Sequence, residues 1–251
     1  MDEALGDQLG DGPAYYATGA HTRWRDVRAI LHPPYTAWHL SYVVIGSVVG
    51  PRVSWSILAA TVLAFFLAVG VAAHALDELS GRPLGTHLPQ ALLIAAAITG
   101  LGGAALIGVA GLERLGPWFG VFVVVGVALV LAYNLELFGG LVHNDGGFAL
   151  AWGAFPVLTA VFAQQHTLPP SGWALALAAA LLAAAQRSLS TPVRRLRRDA
   201  ASVHGHLVLD SGDVVRIDRA HILAPLEKAL RLLSWAVVSL AFALVLARLV
   251  H

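Results

Sequence analysis

Long apolar runs broken by short polar stretches dominate this chain. No Asp, Glu, Lys or Arg occurs between Arg28 and Arg52, Arg52 and Asp77, Arg82 and Glu113, Arg114 and Glu136, Asp145 and Arg187, or Arg231 and Arg248. The hydrocarbon core of a bilayer takes about 20 apolar residues of helix, which makes each run a candidate span. The stretch from Asp145 to Arg187 is long enough for two, and His166-Thr-Leu-Pro-Pro-Ser-Gly172 divides it with helix-breaking residues. The pattern predicts seven membrane helices, near 35–50, 54–77, 89–110, 117–138, 147–165, 172–190 and 229–248. The first is short and contains His39. The expected fold is an all-α polytopic membrane bundle with about seven transmembrane helices.

Four segments follow: an N-terminal tail over 1–28, a six-helix membrane core over 29–190, an insert over 191–228, and a last transmembrane helix over 229–251. Residues 1–20 are acidic and Gly-rich without an apolar core segment, so they read as a disordered tail and not as a cleavable signal peptide. Within the insert, His206-Leu-Val-Leu-Asp-Ser-Gly-Asp-Val-Val-Arg-Ile-Asp218 alternates around an Asp-Ser-Gly-Asp turn, which predicts a hairpin. Residues 220–231 read as an amphipathic helix leading into the last span. Gly46/Gly50 and Gly116/Gly120 have the spacing that lets membrane helices approach closely.

Composition agrees with the pattern. Apolar residues make up 57% of the chain and charged ones 12%, against about 45–50% and about 25% in ordinary globular domains. With no cysteine, disulfides, thiol catalysis and Cys-ligated zinc or iron–sulfur sites are excluded. A net charge of +1 gives no footprint for nucleic acid. Eleven histidines accompany a single methionine. Placing the N-terminus in the cytoplasm puts thirteen of the sixteen Lys and Arg residues on that side and leaves only Arg52, Arg114 and Arg248 on the other. The C-terminus then lies outside.

Ionisable residues within or at the edge of a span are costly and point to function. Here they collect at one set of helix ends. His74, Asp77 and Glu78 stand at i, i+3 and i+4 at the end of the second span and share a helical face. The fourth span ends Tyr133-Asn134-Leu-Glu136, followed by Gly139-Gly140, His143-Asn144-Asp145 and Gly146-Gly147. Glycine pairs around polar residues predict a broken or tightly turned backbone, tolerated at membrane depth where it is buried in protein or lines a wet cavity. The sixth span ends Gln186-Arg187-Ser188, then Pro192 and the run Arg194–Arg198, which marks the cytoplasmic side and attracts anionic lipid. The histidines near span ends, His32, His39 and His166, read as hydrogen-bonding residues. The convergence of polar groups on one leaflet predicts a cavity open to the cytoplasm.

The chain resembles the UbiA superfamily of intramembrane prenyltransferases over roughly residues 25–190. Asp77-Glu78-Leu-Ser-Gly-Arg82-Pro83-Leu-Gly-Thr-His-Leu-Pro89 is similar to the downstream half of the family's first Asp-rich motif. His32-Pro-Pro-Tyr-Thr36 is similar to its polar-Pro-x-Thr opening, and Tyr133 through Gly153-Ala-Phe-Pro156 to its passage from the fourth to the fifth helix. The chain departs from the family at Ala73, where an Asn is usual, and at 186–192, where a second Asp-rich motif is expected but no carboxylate occurs. It also has seven predicted spans where nine are common.

The resemblance implies an enzyme acting on an isoprenoid or related membrane lipid. In this reading Asp77, Glu78, His74 and His143 are metal ligands, Arg82 and Arg187 bind substrate phosphate, and Glu136, Tyr133 and Asp145 assist the chemistry. The divalent metal is Mg²⁺ if the chemistry is prenyl transfer. Imidazole among the ligands shifts preference towards iron, zinc or manganese, so a membrane metalloenzyme doing redox or hydrolytic lipid chemistry, with His74, Glu78, Glu136 and His143 as ligands, is a second reading. A non-catalytic lipid- or partner-binding protein is a third.

Overall fold

The computed structural model describes residues 22–250, and its helices follow the apolar runs closely. In chain order they are α1 (Arg23–Leu31), α2 (Pro33–Val48), α3 (Trp55–Leu79), α4 (Gln90–Leu115), α5 (Phe119–Asn134), α6 (Asp145–Gln165) and α7 (Pro170–Arg198). The strands β1 (His204–Val208) and β2 (Val214–Asp218) follow, and α8 (Arg219–Val250) closes the chain. Five of these, α3, α4, α6, α7 and α8, are long and apolar enough to cross a membrane. The outer surfaces of α4 and α5 expose Ile98, Leu106, Val121 and Val124, which suits a lipid surround.

The two 16-residue helices, α2 and α5, are each about 24 Å long at 1.5 Å per residue. Most of α2 is buried, including Thr36, His39, Ser41 and Ser47, and it packs mainly between α6 and α8. Surrounded by protein on these sides, it needs no continuous apolar surface. That explains the short and polar first run.

Close packing rests on glycines at particular places. A Cβ on Gly46 would lie 2.8 Å from the Val157 carbonyl oxygen, one on Gly100 2.7 Å from that of Leu67, and one on Gly153 2.7 Å from that of Ala179. These contacts join α2 to α6, α4 to α3, and α6 to α7. Of the two glycine pairs singled out in the sequence, only Gly46/Gly50 is closely packed: a Cβ on Gly50 would lie 2.9 Å from the Gln165 side chain. Gly116 instead ends α4 with φ +81°, and a Cβ on Gly120 would find only Leu112, at 3.7 Å.

The bundle's two ends are tied differently. At one, Ser54 and Gln164 exchange backbone and carboxamide hydrogen bonds, and Arg248 donates to the carbonyls of Val48 and Gly50. At the other, α1 packs Ala29 and Ile30 against Leu84, Leu88 and Leu93. The expected tail over 1–28 therefore gives way to helix from Arg23, begun by the Thr22 cap on the Arg25 amide. The earlier part of that tail lies outside the described residues.

The hairpin is present, in antiparallel register from His204↔Asp218 to Val208↔Val214, with Gly212 at φ +88° in its turn. The insert around it is smaller than expected. α7 runs through Pro192 to Arg198, and the amphipathic stretch and last span merge into α8, with Pro225 inside.

Gly153→Val forces a side chain into the α7 backbone and is expected to cost about 1–3 kcal/mol or more. Gly120→Val should be nearly neutral. Thermal unfolding of both variants in mild detergent checks this; equal losses would refute the assignment of the α6–α7 contact.

Candidate functional site

Two of the membrane-length helices are wound more loosely in one stretch. α3 is π-helical over Phe66–Ala73, immediately before His74, and α6 over Ala149–Ala154. Such widened turns are frequent at functional sites.

A polar cavity of about 150 Å³ lies where α2 begins, α3 ends and α7 runs out. His32, Tyr35 and His39 line it from the α2 side, His74 and Asp77 from α3, and Phe148 from α6. α7 contributes Gln186, Arg187, Ser190, Arg194 and Arg198. Four of these are spaced by four residues and so form one helical stripe. Arg194 and Arg198 are exposed at the mouth, whereas Gln186, Ser190 and His39 are buried.

His32 precedes α2 in a left-handed conformation, φ 45°, and its ring centroid is 4.6 Å from that of His74. Burial, then the neighbouring His74, Arg198 and Arg194, hold His32 well below the usual imidazole range. The His74 Nδ1 is 3.4 Å from the Gly70 carbonyl, and the His39 Nδ1 2.9 Å from that of Trp152. A neutral ring nitrogen facing a carbonyl carries the proton, which leaves Nε2 as the acceptor in both. The Gln186 Oε1 is buried with no hydrogen-bond partner among the described residues. A buried polar atom left unpaired costs about 1–3 kcal/mol, so this one calls for a partner inside the cavity.

Arg187 is held on three sides. Its Nε donates to Asp145 at 2.5 Å, its Nη1 to the Tyr133 hydroxyl at 2.6 Å, and its guanidinium lies 5.1 Å from the Phe148 ring centroid. The Asp145 side chain is 83% exposed, so it holds Arg187 from the water side and does not line the cavity.

The expected ligand set is not brought together. Glu78 is fully buried, and its carboxylate accepts from the Leu84 and Thr86 amides and the Thr86 hydroxyl. It faces the loop after α3, and Asp77 alone of the pair lines the cavity. Arg82 also serves that loop: at φ 52° it donates to the carbonyls of Thr86 and Leu88, away from any phosphate position in the cavity. Asp26 accepts from the His87 amide and holds the loop from α1.

His143 stacks on Tyr133 with centroids 4.4 Å apart, and its Nδ1 is 2.9 Å from the Tyr133 carbonyl. Glu136 lies 3.9 Å from His143 with a side chain 65% exposed. Neither lines the polar cavity. The broken backbone expected here is present: Glu136, Phe138, Gly139 and Gly140 all have φ between 49° and 76°.

Among the described residues no group of three His, Asp or Glu side chains is placed to hold a metal ion. Mg²⁺ prefers carboxylates, phosphate and water, and here one carboxylate faces three guanidiniums across the cavity. This donor set fits an anion and does not fit Mg²⁺.

A second, apolar cavity of about 510 Å³ runs between α3, α4, α5 and α6. Small residues such as Ala60, Ala64, Ala104 and Gly126 line its length, and Phe119, Phe122 and Phe155 add aromatic walls. Trp152 lines it too, one turn along α6 from Phe148 on the polar cavity. Tyr133 meets Trp152 edge-on at 5.4 Å. The two spaces are thus neighbours across an aromatic partition.

Of the residues expected at the site, Arg187, His74 and Asp77 line this cavity together with His32, His39, Gln186, Ser190, Arg194 and Arg198. The four-residue spacing of 186, 190, 194 and 198 carried the signal. The chain matches no family model, no curated protein and no solved structure.

Glu78→Ala leaves three buried donors without an acceptor and is expected to destabilise by about 3 kcal/mol or more. Amide exchange at Leu84, Thr86 and His87 should rise with it. Protection of those amides unchanged from the parent would refute the loop-anchoring role.

Proposed function

We propose that this chain is a UbiA-like integral membrane enzyme that binds an isoprenoid or related lipid by a phosphorylated head and carries out prenyl transfer or related chemistry on it. The pairing of a small cationic cavity with a larger apolar one, across the Tyr133–Phe148–Trp152 partition, carries this reading. A phosphorylated prenyl chain has the same division, a compact anion on a long apolar tail. The head lies against Arg187, Arg194 and Arg198, and the tail in the groove between α3, α4, α5 and α6. Guanidiniums so placed stabilise charge that develops on phosphate oxygen in a transition state. Asp77 and the Nε2 of His74 are the acceptors nearest to hand for a proton from an attacking hydroxyl.

In this reading α2 and α5 also cross the bilayer, which gives seven spans with the N-terminus in the cytoplasm and the C-terminus outside. The arginine stripe then opens to the cytoplasm, where phosphorylated prenyl donors and acceptors are met. A second reading is favoured by the exposure of Glu136 and Asp145. Two of the three residues expected to assist chemistry lie at the surface, which suits a lipid-binding protein without turnover.

The full chain in lipid nanodiscs should bind geranylgeranyl phosphate or diphosphate and bind geranylgeraniol at least about tenfold more weakly, a difference of about 1.4 kcal/mol. Ala104→Phe, which fills the apolar groove, should weaken all three while leaving the unfolding temperature near that of the parent. Equal affinity for the alcohol would sink the phosphate-head reading. Binding without conversion of any prenyl donor and aromatic or alcohol acceptor would select the non-catalytic one.

A further inference from the structure

The head-group cavity lacks what metal-assisted diphosphate binding requires and holds something else in its place. Among the described residues the only carboxylate lining it is Asp77, because Glu78 is committed to the Leu84 and Thr86 amides and Asp145 pairs with Arg187 from outside. Where a second acidic cluster is expected, α7 presents Arg187, Arg194 and Arg198. Arginine's planar fork matches phosphate oxygens and needs no bridging ion. Three cations facing one carboxylate also repel Mg²⁺.

Size and hydrogen bonding narrow the ligand further. The cavity's volume of about 150 Å³ suits a compact anion such as the four oxygens around one phosphorus. The unpartnered Gln186 Oε1 is 95% buried by residue and lies on the cavity wall, beside Ser190 on the same stripe. It asks for a donor, and a phosphate monoester supplies one in the P–OH of its singly ionised form, whose pKa is about 6.

We infer that this cavity takes the single phosphate group of a lipid monoester directly on Arg187, Arg194 and Arg198, with no divalent cation between protein and phosphate. The inference rests on the lipid-binding reading above and specifies its head group. Asp77 then opposes the bound charge. In a metal-bridged site it would be indispensable, so the two arrangements predict opposite effects of its removal.

The test uses the full chain in nanodiscs with geranylgeranyl monophosphate as probe, titrated in EDTA and again in Mg²⁺. The dissociation constant is expected to agree within about threefold between the two buffers. Arg194→Gln with Arg198→Gln, both at the exposed mouth, should weaken binding by about tenfold or more, with the unfolding temperature as the check on folding. Asp77→Asn should tighten binding. A requirement for Mg²⁺, or loss of binding in Asp77→Asn with its fold retained, overturns the inference and leaves the lipid reading standing. The same holds if the diphosphate binds in Mg²⁺ and the monophosphate does not. If neither phosphate nor geranylgeraniol binds, both readings fall together.

Discussion

A carboxylate with no access to water must take its hydrogen bonds from the protein around it, and much of the site end of this bundle follows from that constraint on Glu78. Its donors are the amides of Leu84 and Thr86 and the Thr86 hydroxyl, so the chain after α3 has to fold back over it. The fold-back brings Pro83 and Leu84 to the cavity wall. Arg82, in its left-handed conformation, and Asp26, from α1, hold the same loop from two further directions. The apolar face of the loop, Leu84 and Leu88, buries against Ala29 and Ile30 and fixes α1 in turn. One buried charge thus couples the end of α3, the following loop and the first described helix into a single unit.

The two halves of the bundle use small residues to opposite ends. Between α2, α6 and α7, Gly46 and Gly153 bring backbones into contact, and alanines fill the remaining space. Between α3, α4, α5 and α6, alanines and glycines along the groove are not matched by large partners, and a long apolar space remains. The π-helical stretches in α3 and α6 lie at the boundary. The first shifts the register of the residues that follow it, His74 and Asp77 among them, which line the polar cavity, and about the second Phe148 and Trp152 line different spaces.

The membrane-bundle architecture was legible because charge-free runs of this length have few other uses. The loosened turns were not, since neither Phe66–Ala73 nor Ala149–Ala154 contains a proline or charge to announce them. At the site, Asp77 and Glu78 are adjacent in sequence but about 100° apart around the helix axis. Nothing in the sequence says which faces the cavity and which faces the loop. Glu136 looked interior because apolar sequence precedes it. The positive φ angles at Glu136 and Phe138 swing the chain to the surface instead. The arginines of α7 were obscured by their own composition: a run of basic residues satisfies the rule for membrane sidedness and so hides the spacing that puts Arg194 and Arg198 on the cavity side of the helix.

Arg197 shows how that spacing is enforced. It neighbours Arg198 in sequence but forms a 2.6 Å ion pair with Glu227 of α8, with both side chains almost wholly buried. Removing one partner from such a pair leaves an uncompensated buried charge, at a cost of about 3–5 kcal/mol. Rotating the end of α7 about its axis would break it. The pair lies beyond Pro192 in α7 and just past Pro225 in α8. Both prolines remove a helical hydrogen bond, so these are the places where the two helices would otherwise be free to turn. Burying Arg197 against Glu227 fixes the rotation of the segment, and with Arg197 directed into the α7–α8 interface, Arg194 and Arg198 fall on the side that lines the cavity. Of the four arginines in residues 194–198, Arg197 is therefore structural and Arg194 and Arg198 face the cavity.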